Sequence, residues 1–211
     1  MRSNFVKSKN TTYIMKKIFI INGGQKFGHS GGRFNETIAK ASLEFFESNP
    51  NFQVKTTNIN DEYNPKEEVE KFVWADVIIY HTPIWWFQLP HGFKKYIDVV
   101  FTEGHANGIY KSDGRSADNP TINYGTGGML IGKQYMLTTS WNAPKEAFTL
   151  PGEFFSQHSV DEGPLFGFHR MNAFVGLQPL QSMHFHDIEK NANVEKDLEK
   201  YQNHLEQLFL N

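Results

Sequence analysis

Short apolar runs, separated by stretches of mixed polarity, predict alternating strands and helices along most of this chain. Residues 16–22 (KKIFIIN) form an apolar run that opens into glycines, a pattern typical of a strand buried on both faces. Comparable runs predict four further strands. They lie at residues 52–59, 76–80, 133–140 and 177–185.

Between these runs, apolar residues recur every three or four positions, which predicts amphipathic helices. Phe34, Ile38, Ala41 and Phe45 show this spacing in the first of them, residues 34–46. The other expected helices are residues 65–75, 93–100 and 194–210, with short helices at 153–158 and 169–174. Residues 102–132 are glycine-rich and polar without either period, so we expect a long loop, which in a compact domain is usually functional or disordered.

Strands that alternate with helices imply right-handed crossovers and a parallel sheet. We therefore expect an α/β fold in three layers, a five-stranded parallel sheet in the order 2-1-3-4-5 with helices on both faces, which is the flavodoxin-like arrangement. Since there is no internal repeat or clean linker, residues 16–211 should form a single domain. Residues 1–15 are polar and lack the apolar middle of a signal peptide, so we expect a disordered or tag-like extension.

Composition narrows the classes of function. The 211 residues carry a formal net charge of −2, which does not support binding to nucleic acid or to an anionic membrane. The absence of cysteine excludes disulfides, iron–sulfur clusters and a cysteine nucleophile. No apolar stretch approaches the ~20 residues needed to span a bilayer. We expect a cytoplasmic protein without a stable membrane insertion.

A glycine-rich loop, residues 22–35, joins the first predicted strand to the first helix. Glycine N–H groups can approach an anion closely, and the helix directs partial positive charge at the same place. Ser30 can add a hydroxyl and Arg33 a charge, so an anion site is favoured over a plain connection. A Walker A loop is disfavoured because His29 stands where its lysine would be, and the Rossmann glycine spacing is absent. A flavin phosphate fits better.

An aromatic segment follows the third predicted strand. It contains Pro83, Ile84, Trp85, Trp86 and Phe87, and a second proline closes it at position 90. Because prolines stiffen the backbone, this segment predicts a wall for a flat, conjugated ligand at the carboxyl end of a parallel strand. The alternative is that the tryptophans pack into the core or a dimer interface.

Polar side chains also follow the fourth and fifth predicted strands. Hydroxyls and backbone N–H groups of residues 138–142 could hydrogen-bond the polar edge of an isoalloxazine ring, although a helix cap is the alternative. His184 and His186 share one face of the fifth strand. Two histidines and one adjacent carboxylate are too few for a persuasive metal site, so we expect no metal and a solvent-facing strand end.

Six segments, residues 22–37, 74–105, 110–115, 124–128, 132–148 and 168–180, together resemble the modulator of drug activity B group of the NAD(P)H:quinone oxidoreductase family. The resemblance covers the chain from residue 16 to its end. It implies a flavodoxin-like homodimer that uses FAD to transfer a hydride from NAD(P)H, through flavin N5, to a quinone by a ping-pong mechanism. The alternatives are an FMN-dependent azo- or nitroreductase and a flavodoxin-like electron carrier.

The resemblance also implies where FAD would bind. Residues 30–37 would hold the pyrophosphate, residues 83–86 and 139–142 would frame the isoalloxazine, and Tyr124 would contact FAD from its own subunit or across the dimer. No catalytic acid or base is predicted. The expected cofactor-binding residues are His29, Ser30, Gly32, Arg33, Phe34, Asn35, Thr37, Pro83, Ile84, Trp85, Trp86, Phe87, Tyr124, Thr139, Ser140, Trp141 and Asn142.

Overall fold

The computed structural model describes residues 15–28 and 30–210, so His29 and nearly all of the expected N-terminal extension lie outside the described residues. Strands and helices alternate through most of the chain, as the sequence predicts. In order they are β1 (Lys16–Asn22), α1 (Arg33–Glu47), β2 (Phe52–Asn58), α2 (Pro65–Trp74), β3 (Val77–Pro83), α3 (His91–Glu103), β4 (Gln134–Ser140), α4 (Glu146–Thr149), α5 (Phe166–Phe174), β5 (Gln178–Pro179), β6 (Met183–Phe185) and α6 (Val194–Phe209).

The strands form a parallel sheet in the order β2-β1-β3-β4-β5, which confirms the predicted topology. The expected fifth strand is divided in two, so the sheet has six strands. β5 pairs with the start of β4, whereas β6 pairs with its end. The edge strand is interrupted just after Pro179, which has no N–H to donate to a sheet.

The two faces of the sheet bury separate apolar layers, as expected for a three-layer α/β fold. Along β1, Ile18 and Ile20 face α1 and α6, whereas Phe19 and Ile21 face the layer that includes α2, α3 and α5. Successive side chains of a strand point to opposite faces, so a strand covered on both sides must be apolar throughout. That requirement explains the continuous apolar run in the sequence.

The predicted helix at residues 153–158 is wrong, and this segment consists of turns. Ser156 and Gln157 have φ of 51° and 61°, which no right-handed helix allows. The Phe155 ring instead stacks on Phe148 of α4 at 3.9 Å between centroids. The segment therefore packs this aromatic pair in a turn conformation, whereas the spacing of its apolar residues had predicted a helix. Within the described ranges, no helix has the length and apolarity to cross a bilayer.

A buried chain of polar groups crosses the sheet on the α1–α6 side. His81 of β3 places Nδ1 2.6 Å from Thr138 Oγ1 and Nε2 2.9 Å from Ser42 Oγ, which lies 2.6 Å from the Tyr201 hydroxyl. Burial lowers the pKa of His81 to about 3, so its imidazole is neutral in the folded protein. The chain satisfies these buried groups and joins β3 and β4 to both helices.

We expect the free energy of unfolding to fall as the pH is lowered from 6.5 towards about 3, because His81 is protonated in the unfolded chain but not in the folded protein. The folded-state pKa is depressed, so this contribution to stability is complete above the unfolded pKa and is lost below it. The slope approaches ~1.4 kcal/mol per pH unit. Urea unfolding across this range would measure it.

The control is His81→Gln, which retains polar groups but does not titrate. Because other groups also titrate, the informative quantity is the difference in slope between the two proteins. Identical slopes would show that His81 is not the source of the pH dependence.

Candidate functional site

Three loops meet at the edge of the sheet formed by the carboxyl ends of β1, β3 and β4. The parallel register places Asn22 beside His81, and Pro83 beside Ser140. The glycine-rich loop, the aromatic segment and residues 141–145 therefore begin side by side. These are the segments that the sequence analysis assigned to cofactor binding, and ligands of open α/β sheets bind at this edge.

The glycine-rich loop packs tightly against the helices around it. Gly23 donates its N–H to His81 O at 2.7 Å, and Gly24 donates to Asn22 Oδ1 at 2.9 Å. A Cβ atom at Gly24 would lie 2.9 Å from the Cβ of Asn35, and one at Gly23 would lie 2.7 Å from the Phe93 ring. Only glycine fits both positions, so the loop stays close to the start of α1.

The start of α1 is open to an anion. Gly32 precedes it with φ of 70°, and no side chain caps this helix, as is also the case for α3, α4 and α5. The first N–H groups of α1 thus carry the positive end of the helix dipole without a capping side chain. Ser30 is half-buried beside them and Arg33 is exposed, with no ion-pair partner among the described residues.

The aromatic segment forms a strained turn. Trp85 and Gln88 exchange two backbone hydrogen bonds of 3.0 Å, and the two residues between them have φ of 49° and 64°. Positive φ at both central positions defines a type I′ turn, which normally contains Asn or Gly. Here the positions hold Trp86, which is 91% exposed, and Phe87, whose ring stacks on Phe154 at 5.4 Å. Backbone strain at a turn of this kind is found preferentially at functional sites.

Some predicted site residues fasten the three loops to one another. Asn35 Nδ2 donates to Ser140 Oγ at 3.0 Å in a buried contact, and Ile84 N–H donates to Ser140 O at 3.0 Å. The Trp85 ring lies 5.4 Å from that of Phe27 in the glycine-rich loop. These contacts hold the aromatic segment against the start of α1, so the loops form one continuous surface.

The side chains of the other predicted residues are either engaged in contacts within the protein or exposed. The Phe34 ring packs on Phe185 at 5.1 Å, and the Thr37 hydroxyl donates to the Arg33 carbonyl at 2.9 Å. Asn142 is exposed, and so is Tyr124, whose ring lies 5.7 Å from Phe174. A direct role in cofactor binding stays a prediction for all of them.

Thr139 has its side chain turned into the protein. It is completely buried, its hydroxyl oxygen accepts a hydrogen bond from Trp141 Nε1 at 2.7 Å, and it lies 2.7 Å from His184 Nδ1. Trp141 in turn packs against the Phe148 ring at 5.1 Å. Since the hydroxyl is engaged on both sides, any contact of Thr139 with a ligand would have to use its backbone.

This chain of polar groups continues to a carboxylate that sequence reasoning missed. Asp161 Oδ1 lies 2.8 Å from His169 Nε2, and 3.2 Å from His184 Nε2 at an angle outside hydrogen-bond geometry. His169 Nδ1 lies 2.6 Å from the Tyr135 hydroxyl. Burial acts to raise the pKa of Asp161, but the two histidines outweigh it and hold this pKa well below its usual range.

The direction of these hydrogen bonds follows from which groups carry a proton. Burial, with the Asp161 charge, raises the pKa of the Tyr135 hydroxyl, which therefore stays protonated and can donate to His169 Nδ1. His169 Nε2–H then donates to Asp161. From the other side, Trp141 can only donate to Thr139. The Tyr135–His169 branch thus ends in a hydrogen bond to the ionised Asp161 carboxylate, whereas the Thr139–His184 branch only approaches that carboxylate, at 3.2 Å.

The expectation of a solvent-facing strand end at His184 is wrong, since its side chain is only 15% exposed. No signal in the sequence joins it to Asp161, which lies in an irregular segment. Despite this cluster, no three His, Asp or Glu side chains within residues 15–28 and 30–210 are arranged to hold a metal ion.

Comparison with known proteins identifies similar chains. A family model described as a flavodoxin-like fold matches residues 16–209. The NADPH:quinone oxidoreductase MdaB of Haemophilus influenzae is 45% identical over 192 residues, which cover 91% of this chain and 98% of that protein.

Two solved structures are similar in fold. A Klebsiella pneumoniae protein designated a quinone reductase has a TM-score of 0.68 at 20% identity, over 92% of this chain and 85% of its own. General stress protein 14 of Treponema denticola, solved in complex with FMN, has a TM-score of 0.62 at 20% identity, over 92% of this chain and 99% of its own. At these identities the two structures show the fold alone.

We expect Thr139→Val to lower the free energy of unfolding by about 1–3 kcal/mol, because it leaves the buried Trp141 Nε1–H and His184 Nδ1 without their partner. The same substitution at Thr37, where the hydroxyl bonds to Arg33 O at an exposed site, should change stability by less than ~0.5 kcal/mol. Urea unfolding of both variants tests this contrast. Equal effects would mean that the Thr139 hydroxyl does not organise the β4 loop.

Proposed function

This chain belongs to the flavodoxin-like family, and we propose that it is an NAD(P)H:quinone oxidoreductase that uses FAD as its cofactor. The observation that carries the proposal is the identity with MdaB, which spans nearly the whole of both chains. The carboxyl edge of the sheet supports it, because an open helix start and an exposed aromatic turn lie side by side there.

The residues at this edge fit a flavin dinucleotide. A pyrophosphate needs N–H donors and positive charge, which the start of α1 and Arg33 offer. Gly24 packs closely against Asn35, so position 24 carries no side chain that would obstruct an approaching phosphate. A planar ring needs an apolar wall, and Trp86 presents its exposed side chain at the neighbouring turn.

Bound FAD would accept a hydride from NAD(P)H and deliver it to the quinone, so the redox chemistry belongs to the cofactor. The protein holds and orients the participants. The aromatic turn would contact the ring, and the engaged side chains of Ser140 and Thr139 hold the β4 loop rigid. No acid is assigned to this step, and the quinone would take its proton from a nearby tyrosine or from solvent.

A ping-pong sequence, a homodimer and a cytoplasmic location complete the proposal. In a ping-pong sequence, nicotinamide and quinone occupy the same stacking position in turn, which suits a single aromatic wall. Dimerisation is supported by exposed aromatic side chains around this edge, among them Phe27 and Phe154, which a partner subunit would cover. The cytoplasm is where the NAD(P)H donor is available.

An FMN-dependent reductase is the second candidate, since general stress protein 14 was solved with FMN in the same fold. Chromatography of flavin released from the purified protein separates the two cofactors. The enzyme should contain FAD and oxidise NADPH with 2-methyl-1,4-naphthoquinone, giving parallel double-reciprocal lines. If the released flavin is FMN, the cofactor is FMN and not FAD. Absence of flavin-dependent NADPH oxidation would overturn the proposal and leave an electron carrier.

We expect Trp86→Ala to weaken FAD binding by up to about tenfold, because a ring contact contributes ~0.5–1.5 kcal/mol beyond area burial. With its side chain 91% exposed, Trp86 contributes little to folding, so stability should change by less than ~0.5 kcal/mol. Fluorescence titration of the flavin-free protein measures the affinity. Phe166→Ala, at another exposed aromatic residue, is the control. Unchanged affinity, or a matching loss of stability, would contradict the assignment of Trp86 as a ligand wall.

A further inference from the structure

A buried histidine nitrogen behind the β4 loop has no hydrogen-bond partner among the described residues. It is Nε2 of His184, whose side chain is 15% exposed. The carboxylate of Asp161 lies beside it, with Oδ1 at 3.2 Å but outside hydrogen-bond geometry. Unpaired polar atoms are rare inside proteins, so this one needs a physical explanation.

The contacts of Thr139 determine which histidine nitrogen carries the proton. The Trp141 indole can only donate, so the Thr139 hydroxyl oxygen accepts its hydrogen bond, at 2.7 Å. Because Thr139 is completely buried, its own proton needs an acceptor, which His184 Nδ1 provides at 2.7 Å. A neutral imidazole that accepts at Nδ1 carries its proton on Nε2. The unpaired atom is therefore an N–H group beside the Asp161 carboxylate.

The charge of Asp161 stabilises this tautomer of His184. Burial acts to raise the pKa of Asp161, but its two histidine neighbours outweigh that effect and keep the carboxylate ionised. A negative charge 3.2 Å from Nε2 attracts a proton on that atom even where the hydrogen-bond angle is poor. In the other tautomer, a lone pair on Nε2 would face the carboxylate, and Thr139 would lose its acceptor.

The oriented hydroxyl of Thr139 holds the start of the β4 loop, residues 141–145. Trp141 is 3% exposed, its ring packs on Phe148 at 5.1 Å, and its backbone N–H donates to Phe185 O at 2.8 Å. The exposed Asn142 follows it at the carboxyl edge of the sheet. The bond from the indole to Thr139 thus helps to set the direction in which the loop leaves the strand.

We propose that Asp161 is a positioning residue for the β4 loop, which it orients through the tautomer of His184 and the Thr139 hydroxyl. The inference rests on the proposed function for the identity of the ligand, FAD, whereas the hydrogen-bond arrangement exists without a ligand. Where the loop is displaced, the apparent affinity for FAD falls with the fraction of molecules that keep it in place.

Asp161→Asn tests the inference, because an amide has nearly the shape of a carboxylate but also donates a proton. Replacing a carboxylate that orients a histidine by its amide can leave the geometry intact and install the other tautomer. Two-bond ¹H–¹⁵N NMR correlations of the cofactor-free protein show the tautomer of His184, whose signals are assigned by their loss in His184→Asn. We expect the Nε2–H tautomer in the unmodified protein and its loss in Asp161→Asn.

Two further measurements follow the effect from the histidine to the loop. The indole N–H of Trp141, one of four tryptophans, gives an NMR signal that Trp141→Phe identifies. It should exchange with solvent about three- to tenfold faster in Asp161→Asn, because a net hydrogen bond stabilises an arrangement by about that factor. Fluorescence titration of the flavin-free protein should show an affinity for FAD lowered by the same factor.

The matched control is Tyr135→Phe, which disturbs the other branch of the same cluster. It removes the hydroxyl that lies 2.6 Å from His169 Nδ1 but leaves Asp161, His184 and Thr139 unchanged. This variant should lose stability without a change in the His184 tautomer or in the affinity for FAD. A comparable loss of FAD affinity in Tyr135→Phe would show a merely structural role for the cluster and would overturn the inference.

His184→Asn tests the route, because its amide oxygen can accept from Thr139 without help from Asp161. Adding Asp161→Asn to this variant should not lower the affinity for FAD any further, and an undiminished second loss would contradict the inference. A proton on Nδ1 in the unmodified protein would overturn it even where no variant folds. Failure of the unmodified protein to bind FAD would instead count against the proposed function, and the two NMR measurements would still decide the role of Asp161.

Discussion

The candidate site depends on the parallel pairing of β1, β3 and β4. Parallel strands that are covered on both faces must be joined by crossover helices, so all their carboxyl ends lie at one edge. The same crossovers place the positive end of α1 at that edge. The topology of the sheet thus places the uncapped start of α1 beside the two other loops. The side chains of these loops determine only which ligand can bind there.

Two networks of polar side chains, one on each face of the sheet, hold the strand ends at this edge in place. On one face, His81 connects β3 and β4 with α1 and α6 through hydroxyl groups. On the other, Thr139 connects β4 to His184 of β6, and Tyr135 of β4 connects through His169 of α5 to Asp161 in the segment before it. A polar group inside a core tolerates only the geometry that satisfies it, because an unpaired group is costly. The two networks therefore fix the strand ends, whereas the turn above them holds Trp86 in a strained conformation.

Sequence patterns predicted the elements that depend on local periodicity. Continuous apolar runs and helical spacing located β1, α1 and α6 within a residue or two, and the alternation of elements gave the strand order. The patterns failed where distant contacts decide the structure. At Phe155 an aromatic stack replaced the expected helix, and Pro179 lies where the edge strand is interrupted. Asp161 was missed since its neighbour His184 is remote in sequence and the two residues meet only in the folded protein.

Two kinds of surface meet at the carboxyl edge. Near α1, backbone N–H groups without a capping side chain and the exposed Arg33 suit an anion. On the far side of the aromatic turn, the wall becomes apolar through Leu89 and Phe168. A charged group and an apolar group cannot share one lining, because each is destabilised by the environment that the other needs. The strained turn at Trp86 lies between the two surfaces, where a flat ring that is apolar on its faces and polar at its edge can contact both.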